Sequence, residues 1–305
     1  MFNSCGMQRG YAMKRLLTAL LLCGCFLFSG AAFAAHGHYT NGVEGLKAGT
    51  LPPEGFYWKI YNAYYTANRY KNDNSRKTGS FNVDVFAQAH RFIYSSGLEL
   101  LGGNVVFDVI VPLTNTNIRM GGAFDNEKFG VGDVLVEPLV IAWHGDRYDA
   151  VLGTGIYLPM GYYDAGNTAS PGKGFWSFML SGGGTLYLDE AKSWHASLVA
   201  RYEIHTKQKR TNVTPGQDFH FEWGVGKTVN QVFDIGLAGY CGWQVTNDSG
   251  GGSLNTRNDM YAIGPEIGFS IPDWGLHFSL RSLWEFENRS GSEGNITVFN
   301  ITKAF

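Results

Sequence analysis

Residues 55–305 form a run of segments in which apolar and polar side chains alternate, joined by connections that are by turns long and short. The clearest segment sets Trp194, Ala196, Leu198, Ala200, Tyr202 and Ile204 against His195, Ser197, Arg201, Glu203 and His205. Phe219, Phe221, Trp223 and Val225 alternate with His220, Glu222 and Gly224, and Phe81, Val83, Val85, Ala87 and Ala89 with Asn82, Asp84, Gln88 and His90. A strand turns successive side chains to opposite faces, so each segment has one oily and one polar face. About 12 strands are expected, each near the length a tilted membrane strand needs. The long connections are 69–80, 113–129, 159–174, 206–217 and 246–257, with short ones such as 144–147, 228–231 and 272–273 between them. Short turns on one side and long loops on the other describe an all-β, transmembrane, antiparallel up-and-down β-barrel. A soluble sandwich has no reason to keep that order. With both termini periplasmic, every long loop falls outside the cell.

The last thirty residues read as a hairpin. In its first arm Leu276, Phe278, Leu280, Trp284 and Phe286 share one parity, while His277, Ser279, Arg281, Glu285 and Glu287 share the other, with Leu283 out of place. In its second arm Phe299, Ile301, Lys303 and Phe305 share a parity and the chain stops on the aromatic. Phe299, Ile301 and Phe305 resemble the assembly signal of bacterial outer-membrane barrels, which implies the barrel-assembly machinery as a partner; Lys303 departs from that pattern.

At the other end, Met13-Lys-Arg precedes an apolar run of roughly 13 residues and Ala32-Phe33-Ala34, the pattern of a secretory signal peptide over 1–34 with an A-x-A cleavage site. That run is too short to cross a bilayer as a helix, which takes about 20 residues. Met13 is the better start, so residues 1–12 read as a start-site artefact or an extended leader. Leu22-Cys23-Gly24-Cys25 lies near a lipobox, but cleavage there would leave an oily tail from Phe26 to Phe33. Loss of the leader removes Cys5, Cys23 and Cys25 and leaves Cys241 alone, which excludes an internal disulfide and a cysteine metal cluster.

Composition agrees with a membrane wall. Charged residues are 16% of the chain, against about 25% in soluble domains, while aromatics reach 15% and glycines number 41. Removing Arg9, Lys14 and Arg15 from 24 basic residues leaves 21 against 26 acidic ones, which argues against a nucleic-acid partner. Outer-membrane lipid is the expected partner of the oily faces. The polar faces then turn to a lumen, making Asp84, Gln88, His90, His195, Arg201, Glu203, His205, His220, Glu222, His277, Arg281 and Glu285 candidate pore-lining residues. Asn82, Gln244 and Glu287 belong to the same set by parity. Charges of both signs can pair and plug a barrel of this size, or line a water-filled path.

Other chemistry is thinly represented. Residues 35–54 lack a period and read as an irregular N-terminal arm that could enter the lumen. Within it His36 and His38 have no third ligand nearby and read as a solvated terminus, so no metal site and no cofactor are expected. Gly130-Val-Gly-Asp133 precedes a strand, with glycines suited to positive φ and an aspartate able to bond the turn's own amides. No helix or Gly-Lys-Ser/Thr follows it, against a phosphate loop. His195 with Ser197, and His277 with Ser279, are the available pairs for a lipid hydrolase, without a nucleophile-elbow motif. No catalytic residue is assigned.

Several stretches resemble the phenol-degradation meta-pathway outer-membrane protein family: the Leu51-Pro-Pro-Glu-Gly55 arm running into a Tyr-rich strand, Gly130-Val-Gly-Asp-Val-Leu-Val-Glu-Pro138, and Leu158-Pro-Met-Gly-Tyr-Tyr163. Tyr202-Glu203, Gly236-Leu-Ala-Gly-Tyr240, Gln244-Val-Thr-Asn-Asp248 and Ile263-Gly-Pro-Glu266 follow in the same order. The resemblance spans nearly all of the chain after the leader. It implies a barrel in the bacterial outer membrane and uptake of a small hydrophobic or aromatic solute; with the Ser–His pairs weighed as above, no enzyme is expected. It carries over no binding residue. The competing expectations are an outer-membrane lipid hydrolase and a structural or adhesive barrel without transport.

Overall fold

The computed structural model describes residues 37–121, 124–251 and 256–305; the leader lies outside them. The strands are β1 (Gly55–Tyr70), β2 (Phe81–Leu100), β3 (Gly103–Met120), β4 (Phe124–Val131), β5 (Val134–His144), β6 (Tyr148–Leu158), β7 (Ser177–Tyr187) and β8 (Trp194–His205). They continue as β9 (Val213–Thr214), β10 (Asp218–Val229), β11 (Phe233–Gln244), β12 (Ser249–Gly250), β13 (Asp259–Ile271), β14 (Leu276–Arg289) and β15 (Ser292–Ala304).

Each wall strand pairs antiparallel with its neighbours, β2 pairs with β3, and β1 with β15, so the sheet closes. β9 and β12 lie in two long loops and pair with each other. Leaving out β4, this is a barrel of 12 strands. Closure is what a sheet in hydrocarbon requires, because an open edge would leave amides and carbonyls unpaired at several kcal/mol each.

β4 departs from the sequence reading, which placed a long loop over 113–129. β3 instead continues to Met120, with β4 returning along Leu113–Met120. The lower half of β3, Asn104 to Ile110, pairs with β5. The chain therefore crosses from one partner strand to the next at Gly132–Asp133. The far edge of β4 meets the loop 159–176 rather than a strand, through the Tyr162 amide on the Val131 carbonyl. Glycine is needed here for close approach, not for handedness. A Cβ on Gly161 would lie 2.7 Å from the Gly132 carbonyl carbon, and neither Gly130 nor Gly132 has positive φ.

On the outer face Leu152, Leu180, Leu198, Ile235, Ile267 and Trp284 are exposed, from strands around the wall. Each such side chain left in water forgoes about 1.5–3 kcal/mol, so a continuous band of them is the surface of a lipid-immersed wall. Phe299 and Phe305 lie on this face too.

Inside, the long-loop end of the barrel holds an apolar core: Tyr65, Val83, Val85, Tyr240, Leu283, Ile296 and Val298, with Ala169 of loop 159–176. Leu283 breaks the polar parity of β14 because it belongs to this core. Below it, the segment 37–54 runs through the lumen. His38 meets Asp133 and Ser177 near the long loops. Lys47 and Thr50 reach Asp234 and Asp149 near the short turns. The chain then enters β1 from that end.

Candidate solute pathway beside the N-terminal arm

The arm is held by buried charges whose partners are mostly its own backbone. Glu222 on β10 accepts from Tyr39 Oη (2.5 Å), the Gly42 amide (2.8 Å) and the Glu44 amide (3.0 Å), and from Arg201 Nη1 on β8 (2.8 Å). Glu203 accepts from the His38 and Tyr39 amides. Arg281 donates to the Gly42 and Val43 carbonyls and pairs with Glu266 at 2.9 Å. These amides and carbonyls have no strand or helix of their own, and buried backbone groups must be paired somewhere. The wall carboxylates and guanidiniums supply what secondary structure would.

Glu44 is the arm's one carboxylate in this network. It receives Lys59 Nζ (2.7 Å), Tyr61 Oη (2.5 Å) and Arg91 Nη1 (3.4 Å). A carboxylate buried alone would be costly, and the Lys59 and Arg91 cations beside it offset that cost. Arg91 continues the network to Asp108 (2.6 Å) and Glu137 (2.9 Å). The arm lies close to the wall: a Cβ on Gly49 would come within 2.3 Å of the Gly184 backbone.

Along one side of the arm a narrow cavity of about 160 Å³ remains. Its lining runs from His38, Asp133 and Lys173 at the long-loop end to Ala48, Leu51 and Val151 toward the short turns. Between them the walls are Ala87, Ala89, Ile110, Leu135, Met179 and Val199, with Tyr39 and Tyr157. Arg91, Glu137 and Arg201 also reach it, but they are already engaged. Arg201 pairs with Glu222 and lies 4.0 Å over the Tyr39 ring. An apolar cavity of ~150 Å³ elsewhere accommodates benzene, so the space is of single-ring size.

The sequence-derived candidates divide. His195, Arg201, Glu203, His205, His220, Glu222, Arg281 and Glu285 are buried inside the wall. His277 also turns inward, bonding Ser270 at 2.9 Å, and Gln244 is buried. Most are tied to one another or to the arm rather than facing open water. Asp84, Gln88 and His90 point the other way, as does Asn82. Asp84 accepts from Tyr64, Thr66 and Asn82, Gln88 donates to Asn62, and His90 accepts from Trp58 Nε1. These share the outer face with exposed Phe86 and Phe92. The inward face of β2 is Val83, Val85, Ala87, Ala89 and Arg91, because the lumen here contains packed protein, not water. Glu287 is exposed, at positive φ, after the β14 register shifts.

Two further expectations change. His38 is not a solvated terminus: its side chain is 3% exposed; His36 lies outside the described residues. Asp133 does not bond its own turn; it accepts from the amides of Gly161 (2.9 Å) and Lys173 (2.7 Å) across the break in β4–β5. The Ser–His pairs are not formed. Ser197 donates to the Gly45 carbonyl, and Ser279 receives from Arg281. Arg91, Asp108 and Glu137 are the residues the periodicity missed. Their signal was a lone charge at an inward position of an apolar strand.

Residues 67–301 match the family described as "Putative MetA-pathway of phenol degradation". The chain belongs to this family. Among solved structures it is similar to an outer-membrane channel from Pseudomonas putida F1, at 11% identity and a TM-score of 0.76, over 84% of this chain and 97% of that one. The translocator domain of the autotransporter NalP from Neisseria meningitidis aligns over 83% and 90% of the two chains at 7% identity and a TM-score of 0.48. The CymD monoaromatic hydrocarbon channel aligns over 90% and 98% at 11% identity and a TM-score of 0.45. No curated protein matches the chain. At these identities the Pseudomonas channel supports the fold: this chain has the fold of an outer-membrane barrel.

Proposed function

We propose that this chain is an outer-membrane channel, or facilitator, for small hydrophobic and aromatic molecules, and that the cavity beside the arm is the solute's route. The carrying observation is a single-ring-sized, largely apolar space that runs along the arm inside a lipid-facing barrel. Ion pairs occupy the charges around it, so a desolvated apolar solute meets few unpaired groups, whereas a hydrated ion would have to shed water there. The family's phenol-degradation description agrees with this reading, as does the similarity to a Pseudomonas barrel that is itself a channel. The arm would act as a stopper against ions and leave a path for oily solutes. On this reading the barrel works as a conduit, with Ser197 and Ser279 bonded to Gly45 and Arg281 rather than to His195 and His277.

The test is uptake of single aromatic carbon sources by a strain lacking the gene. Wild-type protein restores uptake. Ala89→Trp, which fills the cavity from the wall, does not, although it reaches the membrane folded. Equal rescue by both removes the cavity from the route; no difference between the deleted and parent strains removes the transport function.

A further inference from the structure

At the long-loop end, two imidazoles aim the same ring atom at one hydroxyl. His38 Nδ1 and His205 Nδ1 each lie 2.6 Å from Ser177 Oγ. Their other nitrogens are committed: His38 Nε2 to Asp133 at 2.9 Å, and His205 Nε2 to Asp218 at 3.0 Å. Asp133 also takes the Gly161 and Lys173 amides, so it acts as a carboxylate acceptor and His38 Nε2 carries the hydrogen. With His205 Nε2 likewise facing Asp218, neutral rings turn both Nδ1 lone pairs to a hydroxyl that has one proton to give, so a second proton or a metal cation completes the set.

Asp133, Glu203 and Asp218 surround the cluster, and His220 Nε2 also lies 3.2 Å from Glu203, so carboxylates and imidazoles gather around one point. A Glu203 oxygen and one nitrogen from each histidine already lie within 4.8 Å of one another. Metal-bound histidines characteristically give their second nitrogen to a carboxylate, as both do here. Tyr157 stacks on the His38 ring at 4.7 Å and Phe175 meets its edge at 4.6 Å, so the ring is already oriented.

We propose that His38, His205 and Glu203 bind a divalent transition-metal ion of the zinc class, with Ser177 Oγ at the fourth position, and that this ion fastens the arm to β7 and β8. Two imidazoles and a carboxylate with one open position suit zinc, whose bonds to such donors are about 2.0–2.2 Å. To take the ion, the imidazoles and Glu203 close inward while Ser177 Oγ draws back from the two rings, all by side-chain rotation. Ser177 is fully buried, which favours a structural ion over a nucleophile activated by the two histidines. His38 also lines the long-loop end of the cavity, so the ion would sit beside the proposed route, and its binding is measured without any solute.

The experiment uses tag-free, full-length processed protein in detergent, stripped with a chelator and titrated with Zn²⁺ alone. The expected result is one ion per chain, with affinity lowered at least tenfold by His205→Gln and by Glu203→Gln and unchanged by His277→Gln, which lies outside the cluster. Co²⁺ in place of Zn²⁺ should give the intense visible bands of a four-coordinate site. Heat-modifiable mobility on gels confirms that each variant still forms the barrel. Retention with His36→Gln and loss with His38→Gln places the ion at the buried cluster. Wild-type protein that binds no Zn²⁺, or binding that survives the His38→Gln/His205→Gln double variant, overturns the proposal; in the first case a shared proton fills the gap.

Discussion

The amide of Gly42 donates to the carboxylate of Glu222 across 2.8 Å, and that contact joins a segment with no regular structure to the barrel wall. Glu222 is fully buried and serves four donors, three of them from the arm. Glu222→Ala leaves Arg201 and two arm amides without their acceptor. Breaking a buried charge pair costs about 3–5 kcal/mol, and here the loss falls mainly on arm docking. Limited proteolysis should cut the variant within 37–54 under conditions where the wild type is intact, while the barrel keeps its mobility shift on gels. Equal protection would mean that the arm is held elsewhere.

Glu44 ties the middle of the arm to β1 and β2, through Lys59 at 2.7 Å and Arg91 at 3.4 Å. Glu44→Leu leaves Lys59 without its carboxylate, and breaking such a buried pair costs about 3–5 kcal/mol. The expected outcome is a protease-sensitive arm on a barrel that still shifts on gels. An arm as resistant as in the wild type would show that this pair does not seat it.

Gly49 lies against a neighbouring backbone that cannot swing aside. A Cβ there would sit 2.3 Å from the Gly184 carbonyl carbon, so Gly49→Val should unseat the lower arm. The expected outcome is a lower thermal midpoint and a protease-sensitive arm, read by loss of heat-modifiable mobility against temperature. A midpoint within a degree of wild type would show that the arm does not seat at this site.

Alternation alone makes the wall readable. In β8 the parity of His195 to His205 matches the buried face residue for residue. In β2 the same rule assigned the faces backwards. Alternation shows that a strand has two faces, but it does not show which one is inside. That assignment needs to know what fills the lumen, and the filling comes from residues 37–54 and Ala169, far away in sequence. Val83 and Val85 are oily because they pack against protein inside the barrel. Asp84 and Gln88 are tolerated outside because each has polar partners on β1. The His38 cluster was hidden for the same reason. Its members come from the arm, the β4–β5 break and strands β7, β8 and β10, and no local spacing joins them.

The central claim is a membrane-spanning barrel stoppered by its own N-terminal arm, and conductance across a planar bilayer tests it most directly. Wild-type protein and a variant lacking 37–48, both shown to insert as folded barrels, are compared in the same salt. The wild type should pass little ionic current, and the deletion should open steps of at least tenfold higher conductance. Equal conductance from the two proteins would contradict the account.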